Sequence, residues 1–147
     1  MKIVVMKFGG TSVSDVKKIK SVAKTVINET KNNKVLVVLS AMSGVTNKLQ
    51  DYIDQVNHSK QNPASEEVDM VITSGEQVTI GLLSMILKQY KIKSLPLLGW
   101  QVPIITDDNH SKGRILNIDN DNIFNYFKTH DVIVLAGFQG VNINGKI

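Results

Sequence analysis

The chain has 147 residues, 42% of them apolar, with 17 lysines and arginines against 13 acidic residues, a net charge of +4, a pI near 9.3 and no cysteine. That size and apolar fraction fit one α/β domain and exclude a disordered chain, and the lack of cysteine excludes a disulfide framework and a thiolate metal site. The basic balance raises nucleic acid as a partner, but Arg114 is the single arginine and lysines such as Lys17, Lys18, Lys20, Lys24 and Lys31 are scattered over one helix without interleaved aromatics, so none is expected.

The chain opens with Met1–Val13, MKIVVMKFGGTSV. Ile3–Met6 is a continuous apolar run, as expected of a buried parallel strand. It runs into Lys7-Phe8-Gly9-Gly10-Thr11-Ser12, and a helix is expected to open at Ser14. Strand, glycine turn and helix start together can cradle a phosphate, because glycine lets the backbone approach an anion and the N–H groups of a helix start carry partial positive charge. Lys7 adds a full charge at the lip. The spacing is neither that of a P-loop, since the lysine precedes the glycines, nor of a dinucleotide fingerprint, since a third glycine is missing. A simple tight turn remains the other reading of these residues. Lys7 also interrupts the first apolar run, which is too short for a secretory signal. No stretch is expected to span a membrane, and a cytoplasmic setting follows as the expectation.

Val16, Ile19, Val22, Ala23, Val26 and Ile27 recur at helical spacing, and Asn32-Asn33 is expected to end that helix. Val35–Leu39 is a second apolar strand, which completes a βαβ unit. The turn Ser40–Thr46 then lies beyond the carboxyl end of a parallel strand, where α/β sheets bind ligands. Ser40 and Thr46 offer hydroxyls to an anion there; alternatively, Thr46 caps the helix carrying Leu49, Ile53 and Val56. His58–Ser65 is polar and reads as a surface loop or lid.

One helix is expected from Glu66 to Tyr90, with apolar positions including Val71, Val78, Leu82, Leu83 and Ile86. A mid-helix glycine costs about 1 kcal/mol against alanine, so Gly75 requires a close approach by backbone or ligand. Glu76 either points into a site or is an exposed helix glutamate. Leu95–Gly99 and Val102–Ile105 read as strands. Asp107, Asp108 and His110 lie in a polar loop, read as a turn rather than a metal site. Asp119 is expected to cap a helix with Ile123, Phe124 and Phe127 on one face, Val132–Ala136 is a further strand, and Gly137–Val141 is a third glycine turn. Asn144-Gly145 fits a hairpin turn.

In order, Lys7-Phe8-Gly9-Gly10-Thr11-Ser12-Val13, Val38-Leu39-Ser40-Ala41-Met42, Val45-Thr46-Asn47-Lys48-Leu49, Thr73-Ser74-Gly75-Glu76 and Ala136-Gly137-Phe138-Gln139-Gly140-Val141 resemble the aspartokinases, within the amino-acid kinase family. The resemblance covers residues 1–147. It implies a mainly parallel sheet sandwiched between helices, of the carbamate kinase-like kind, and the amino-terminal portion of a catalytic domain. In that family a Thr-Thr-Leu-Gly-Arg-Gly-Gly-Ser-Asp-like tract with further substrate-binding residues, a later nucleoside-binding half and two ACT regulatory domains follow, and these are expected to be absent from the 147 residues.

The implied reaction is ATP-dependent phosphorylation of the L-aspartate side-chain carboxylate to 4-phospho-L-aspartate with Mg2+, the first step towards lysine, threonine and methionine. Carried over residue by residue, Lys7, Phe8, Gly9 and Gly10 match the phosphate-binding turn, with Lys7 neutralising the transferring phosphoryl group. Ser40 matches a residue lining the site, while Thr46 and Glu76 match positions contacting aspartate. Glu76 is then expected to pair with the substrate ammonium or to orient Lys7. No metal ligand is assigned. The 147-residue chain alone is expected to show little or no turnover and to form a homo-oligomer or associate with a chain carrying the missing half. The alternatives are a non-catalytic ligand-binding or partner subunit, and a kinase for another amino acid.

Overall fold

The computed structural model describes residues 2–57 and 65–147. Four parallel strands form the central sheet in the order β1-β2-β6-β3, with β1 at Lys2–Phe8, β2 at Asn33–Leu39, β3 at Ser94–Leu97 and β6 at Val132–Ala136. An antiparallel pair, β4 (Ile104–Thr106) and β5 (Ile115–Ile118), stands apart from it. The mainly parallel sheet flanked by helices is the architecture expected.

Side-chain alternation along the strands sends the two halves of each apolar run to opposite faces. Val132, Val134 and Ala136 of β6 join Val35, Val37 and Leu39 of β2 beneath two helices, α1 (Val16–Glu29) and α4 (Ser74–Gln89), through Ile19, Val26, Leu83 and Leu87. Ile133 and Leu135 point the other way, towards Ile123 and Phe127 of α5 (Asn120–Phe127), together with Leu97, Val102 and Ile104. Every residue of β6 is therefore buried, which is why its sequence has no polar alternation.

Several boundaries differ from expectation for local reasons. Helix α1 starts one residue late, because Asp15 rather than Ser14 caps it by accepting from Lys18 N–H at 2.8 Å. It ends at Glu29, where the Thr30 hydroxyl donates to the Ile27 carbonyl, so Asn33 is free to begin β2. Helix α2 (Val45–Val56) is capped by Gly44, in the left-handed region at φ 81°, and not by Thr46, which lies inside its first turn; α2 buries no residue fully, and Val56 is exposed.

The single helix expected over 66–90 is two, α3 (Glu66–Ile72) and α4, divided at Thr73. The Thr73 carbonyl accepts from the Gln139 side chain at 2.8 Å, and the Thr73 and Ser74 hydroxyls bond back to the Asp69 and Val71 carbonyls. Such local bonds compete with the helix ladder. By length and composition the stretch Glu66–Gln89 is apolar enough to cross a membrane, contrary to the expectation that none is; here Ile80, Leu83 and Leu87 are spent on the sheet, while Val71, Val78 and Tyr90 are exposed.

Asp119 caps α5 as expected, accepting from Asn122 N–H at 3.1 Å, but Phe124 is exposed rather than on the buried face. The strands read at 95–99 and 102–105 shift to β3 and β4, because Leu98–Val102 makes a turn closed by Gln101 N–H to the Leu98 carbonyl. A turn at Asn142–Gly145, with Gly145 at φ 77°, fits the Asn-Gly reading. The loop read at His58–Ser65 lies outside the described residues except for Ser65, which caps α3.

Candidate functional site

The three glycine-bearing turns meet at the carboxyl end of the sheet. Phe8 is in register with Leu39, and Leu39 with Ala136, so the segments that follow emerge side by side. Two further bonds hold them: Ser40 N–H donates to the Phe8 carbonyl at 3.2 Å, and Gly137 N–H to the Leu39 carbonyl at 2.8 Å. Between them lies a cleft of about 280 Å3 lined by Lys7, Gly9, Ser40, Thr46, Glu76 and Phe138, with Val38, Leu39 and Gly137 completing its wall. The edge beyond the strand ends is where an open parallel sheet binds ligands.

Five of the seven residues singled out from sequence line this one cleft: Lys7, Gly9, Ser40, Thr46 and Glu76. Lys7 is exposed, at the end of β1, and belongs to no ion pair among the described residues. Gly9 is extended, and a Cβ placed on it would meet no protein atom within 4 Å, so its backbone is open to the cleft. The structure does not bring Phe8 and Gly10 to the lining. Phe8 packs against the core beneath α1 and α4, and Gly10 lies against the loop after β2, where a Cβ would stand 3.1 Å from the Ala41 carbonyl oxygen.

The helix start also differs from the cradle expected after β1. A single 3-10 turn (Gly10–Val13) follows the strand, and the N-terminus of α1 is already occupied by the Asp15 carboxylate. The turn that reaches the cleft is the first of α2, through Thr46; no side chain caps it. Positive charge at the cleft therefore comes from Lys7, reinforced by the start of α2.

Glu76 is held from behind. It is only 2% exposed, and one carboxyl oxygen, Oε1, accepts from Ala41 N–H at 3.1 Å. Oε2 is buried with no hydrogen-bond partner among the described residues. Burial raises its pKa above the ordinary carboxylate value, against the opposing pull of the Glu76 and Ala41 N–H groups. The Thr79 hydroxyl, wholly buried one turn on, donates to the Ser40 carbonyl at 2.9 Å and lies 2.9 Å from the Glu76 carbonyl. Gly75 explains how α4 comes so close: a Cβ there would stand 2.8 Å from Ala41 Cβ and 3.1 Å from Val45 Cγ1. Gly75 is the second residue of α4 rather than mid-helix, and the close approach it permits is by α2 and the loop before it. No ion pair joins Glu76 to Lys7, so the structure gives Glu76 no part in orienting that lysine.

Sequence reasoning left Gly137, Phe138 and Thr79 out of the site. The first two carried a usable signal, a glycine turn after an apolar strand. Thr79 carried none, since a threonine inside a helix pattern says nothing of its partner on another strand.

A second cleft, of about 240 Å3, lies beyond Gly137 and Phe138, between α3 and the loop of residues 107–113. Its polar groups satisfy one another: Asp69 takes the His110 ring nitrogen at 3.0 Å and Ser111 N–H at 2.8 Å. Asp107 instead accepts from Arg114 N–H, and Asp108 from the Asn142 side chain. The acidic loop is thus turned to separate partners, and among the described residues no three His, Asp or Glu side chains converge.

The amino acid kinase family model matches residues 2–147. The aspartokinase of Pseudomonas aeruginosa is 45% identical over the whole chain, and that of Rickettsia felis 40%. The chain spans 35% and 37% of the length of these two relatives. The crystal structure of aspartate kinase from Synechocystis superposes with a TM-score of 0.75 at 35% identity, over 96% of this chain and 22% of that one. With the strand order, the three turns and a family model spanning 2–147, the chain belongs to the amino acid kinase family.

Proposed function

We propose that this chain carries the aspartate-binding and phosphoryl-facing part of an aspartate kinase, which transfers the γ-phosphoryl group of ATP to the side-chain carboxylate of L-aspartate and yields 4-phospho-L-aspartate. The observation that carries the reading is the convergence of Lys7, Gly9, Ser40, Thr46 and Glu76 on one cleft. The aspartokinase relatives at 40% and 45% identity support it.

The chemistry asks little of a general base, because the attacking carboxylate is already ionised near neutral pH. It asks that two anions be held together, so positioning and positive charge do most of the work. Lys7 faces the transferring phosphoryl group, and the open backbone at Gly9 lets phosphate oxygens approach. The Ser40 and Thr46 hydroxyls donate to the substrate carboxylates. Glu76, a carboxylate itself, repels those groups and takes the substrate ammonium at Oε2. Magnesium would enter with the nucleotide; among the described residues the cleft offers one carboxylate and no cage of ligands.

We further read the chain as the amino-terminal part of such a domain, cytoplasmic, and of little turnover by itself. Exposed apolar residues on α3 and α4 (Met70, Val78 and Met85) support association with a second copy or with a chain carrying the remaining half; sedimentation equilibrium tests this, and a monomer at all concentrations would count against it.

Thermal unfolding with and without L-aspartate and Mg-ATP tests the site. A ligand that binds only the folded state stabilises it by about 2.7 kcal/mol at a hundredfold excess over Kd. The expected result is a higher Tm with aspartate, a further rise with Mg-ATP, and a weaker nucleotide effect in Lys7→Ala. A Tm indifferent to both ligands would overturn the reading, and aspartate-dependent ADP formation by the chain alone would overturn the claim of low turnover.

A further inference from the structure

Helix α4 buries a carboxyl group that no cation among the described residues neutralises. Glu76 is 2% exposed, one oxygen takes a single N–H bond from Ala41 at 3.1 Å, and the other has no partner among the described residues. β1 contributes Lys7 to the surrounding wall, β2 and its turn Val38, Leu39 and Ser40, α2 Thr46, and the turn after β6 Gly137 and Phe138. Lys7 is the one ionisable group among them besides Glu76, and it is exposed and not paired with the carboxylate. Among the described residues, α1, α3, β3 and β6, the other elements around α4, place no charged partner on Glu76; burial raises its pKa against the pull of backbone N–H groups.

An ionised carboxylate in this position has lost its water and gained one hydrogen bond, an unfavourable exchange. Protonation removes the cost, in keeping with the raised pKa. A ligand cation at Oε2 removes it equally well, because an opposite charge within contact distance favours the ionised form.

We propose that a proton and the ammonium group of the ligand compete for Glu76, so that the empty cleft favours the protonated carboxyl and ligand binding, in the acid range, releases its proton. The inference rests on the reading of the cleft as an amino-acid site and adds a proton linkage to it. The exchange balances: the Oε2–H bond breaks, its electron pair stays on the carboxylate, the proton passes to solvent, and the ligand's positive charge takes its place. The affinity for aspartate therefore rises with pH across the acid range, by up to tenfold per pH unit for one released proton.

The Ala41 amide, bonded directly to Glu76, reports the ionisation, and its nitrogen and proton shifts can be followed by NMR against pH. In the ligand-free protein a titration step is expected with its midpoint above the ordinary glutamate range, and it disappears in Glu76→Gln. With saturating L-aspartate the step moves to lower pH. Calorimetry in two buffers of different ionisation heat should then show up to one proton released per aspartate in the acid range, and none in Glu76→Gln.

An Ala41 step at or below the ordinary carboxylate range overturns the proposal without any variant or ligand. So does a step that aspartate leaves in place while shifting other cleft amides, or proton release unchanged in Glu76→Gln. If aspartate shifts no cleft amide, the aspartate reading itself falls, and the competition with it. That outcome is recognised because the Ala41 step of the ligand-free protein persists unchanged.

Discussion

Replacing Gly75 by alanine should destabilise the protein, whereas the same replacement at Gly81, two turns further along α4, should stabilise it. Both glycines are helical, so each alanine gains at most about 1 kcal/mol of helix propensity. Their surroundings differ. At Gly81 a Cβ would meet nothing within 4 Å, and the gain is kept. At Gly75 it would stand 2.8 Å from Ala41 Cβ, 3.1 Å from Val45 Cγ1 and 3.6 Å from Leu49 Cδ1. Ala41 has no rotamer with which to retreat, so α2 and its leading loop must shift. Overpacking of this kind costs about 1–3 kcal/mol, leaving a net loss of about 1 kcal/mol for Gly75→Ala. In a chain of this size that corresponds to a Tm change of roughly 2–4 °C, downwards at Gly75 and upwards at Gly81. Urea unfolding followed by circular dichroism measures both, with an unchanged slope showing that stability alone has moved. Equal stabilisation by the two alanines would refute the close packing of α4 on α2.

Thr79→Val keeps the shape but removes the hydroxyl that donates to the Ser40 carbonyl at 2.9 Å. Leaving that group unpaired should cost about 1–3 kcal/mol in chemical denaturation, and Thr79→Ser should recover most of it. Asp119→Ala removes the α5 cap and should cost about 1 kcal/mol, read as a lower Tm with the site unaffected. Glu76→Gln should change how stability depends on pH. Because the folded-state pKa of Glu76 is raised, the folded protein holds more protons than the unfolded chain above the ordinary glutamate value, and wild-type stability falls as pH rises through that interval. Below it the two proteins should differ little; above it the variant should be the more stable, by an amount on the order of 1–3 kcal/mol for an unpaired buried group, and parallel stability curves from pH 4 to pH 8 would contradict this.

The fold was legible where one physical requirement dominated. Val132–Ala136 is apolar throughout because β6 is covered on both faces, and the run itself says so. The helical spacing of Ile19, Val22, Ala23 and Val26 likewise names the face that α1 buries. What the pattern misjudged was settled by particular hydrogen bonds, some local and some between distant segments. At Thr73 two hydroxyls bond back within the helix, and the carbonyl is engaged by Gln139, 66 positions away, which no pattern within residues 66–90 could show. Ser14 and Asp15 are both competent caps, and backbone geometry chose Asp15.

The candidate site divides in the same way. Strand-then-glycine segments after β1, β2 and β6 are written in the sequence, and with them Lys7, Gly9, Ser40 and Thr46. Only the register that sets Phe8 beside Leu39, and Leu39 beside Ala136, makes their turns one cleft. The state of Glu76 depends wholly on tertiary structure. A glutamate in a helix is ordinarily solvated, and it is Gly75, through the approach it allows to Ala41, that seats this one in the cleft wall with one oxygen bonded and the other left without a partner among the described residues.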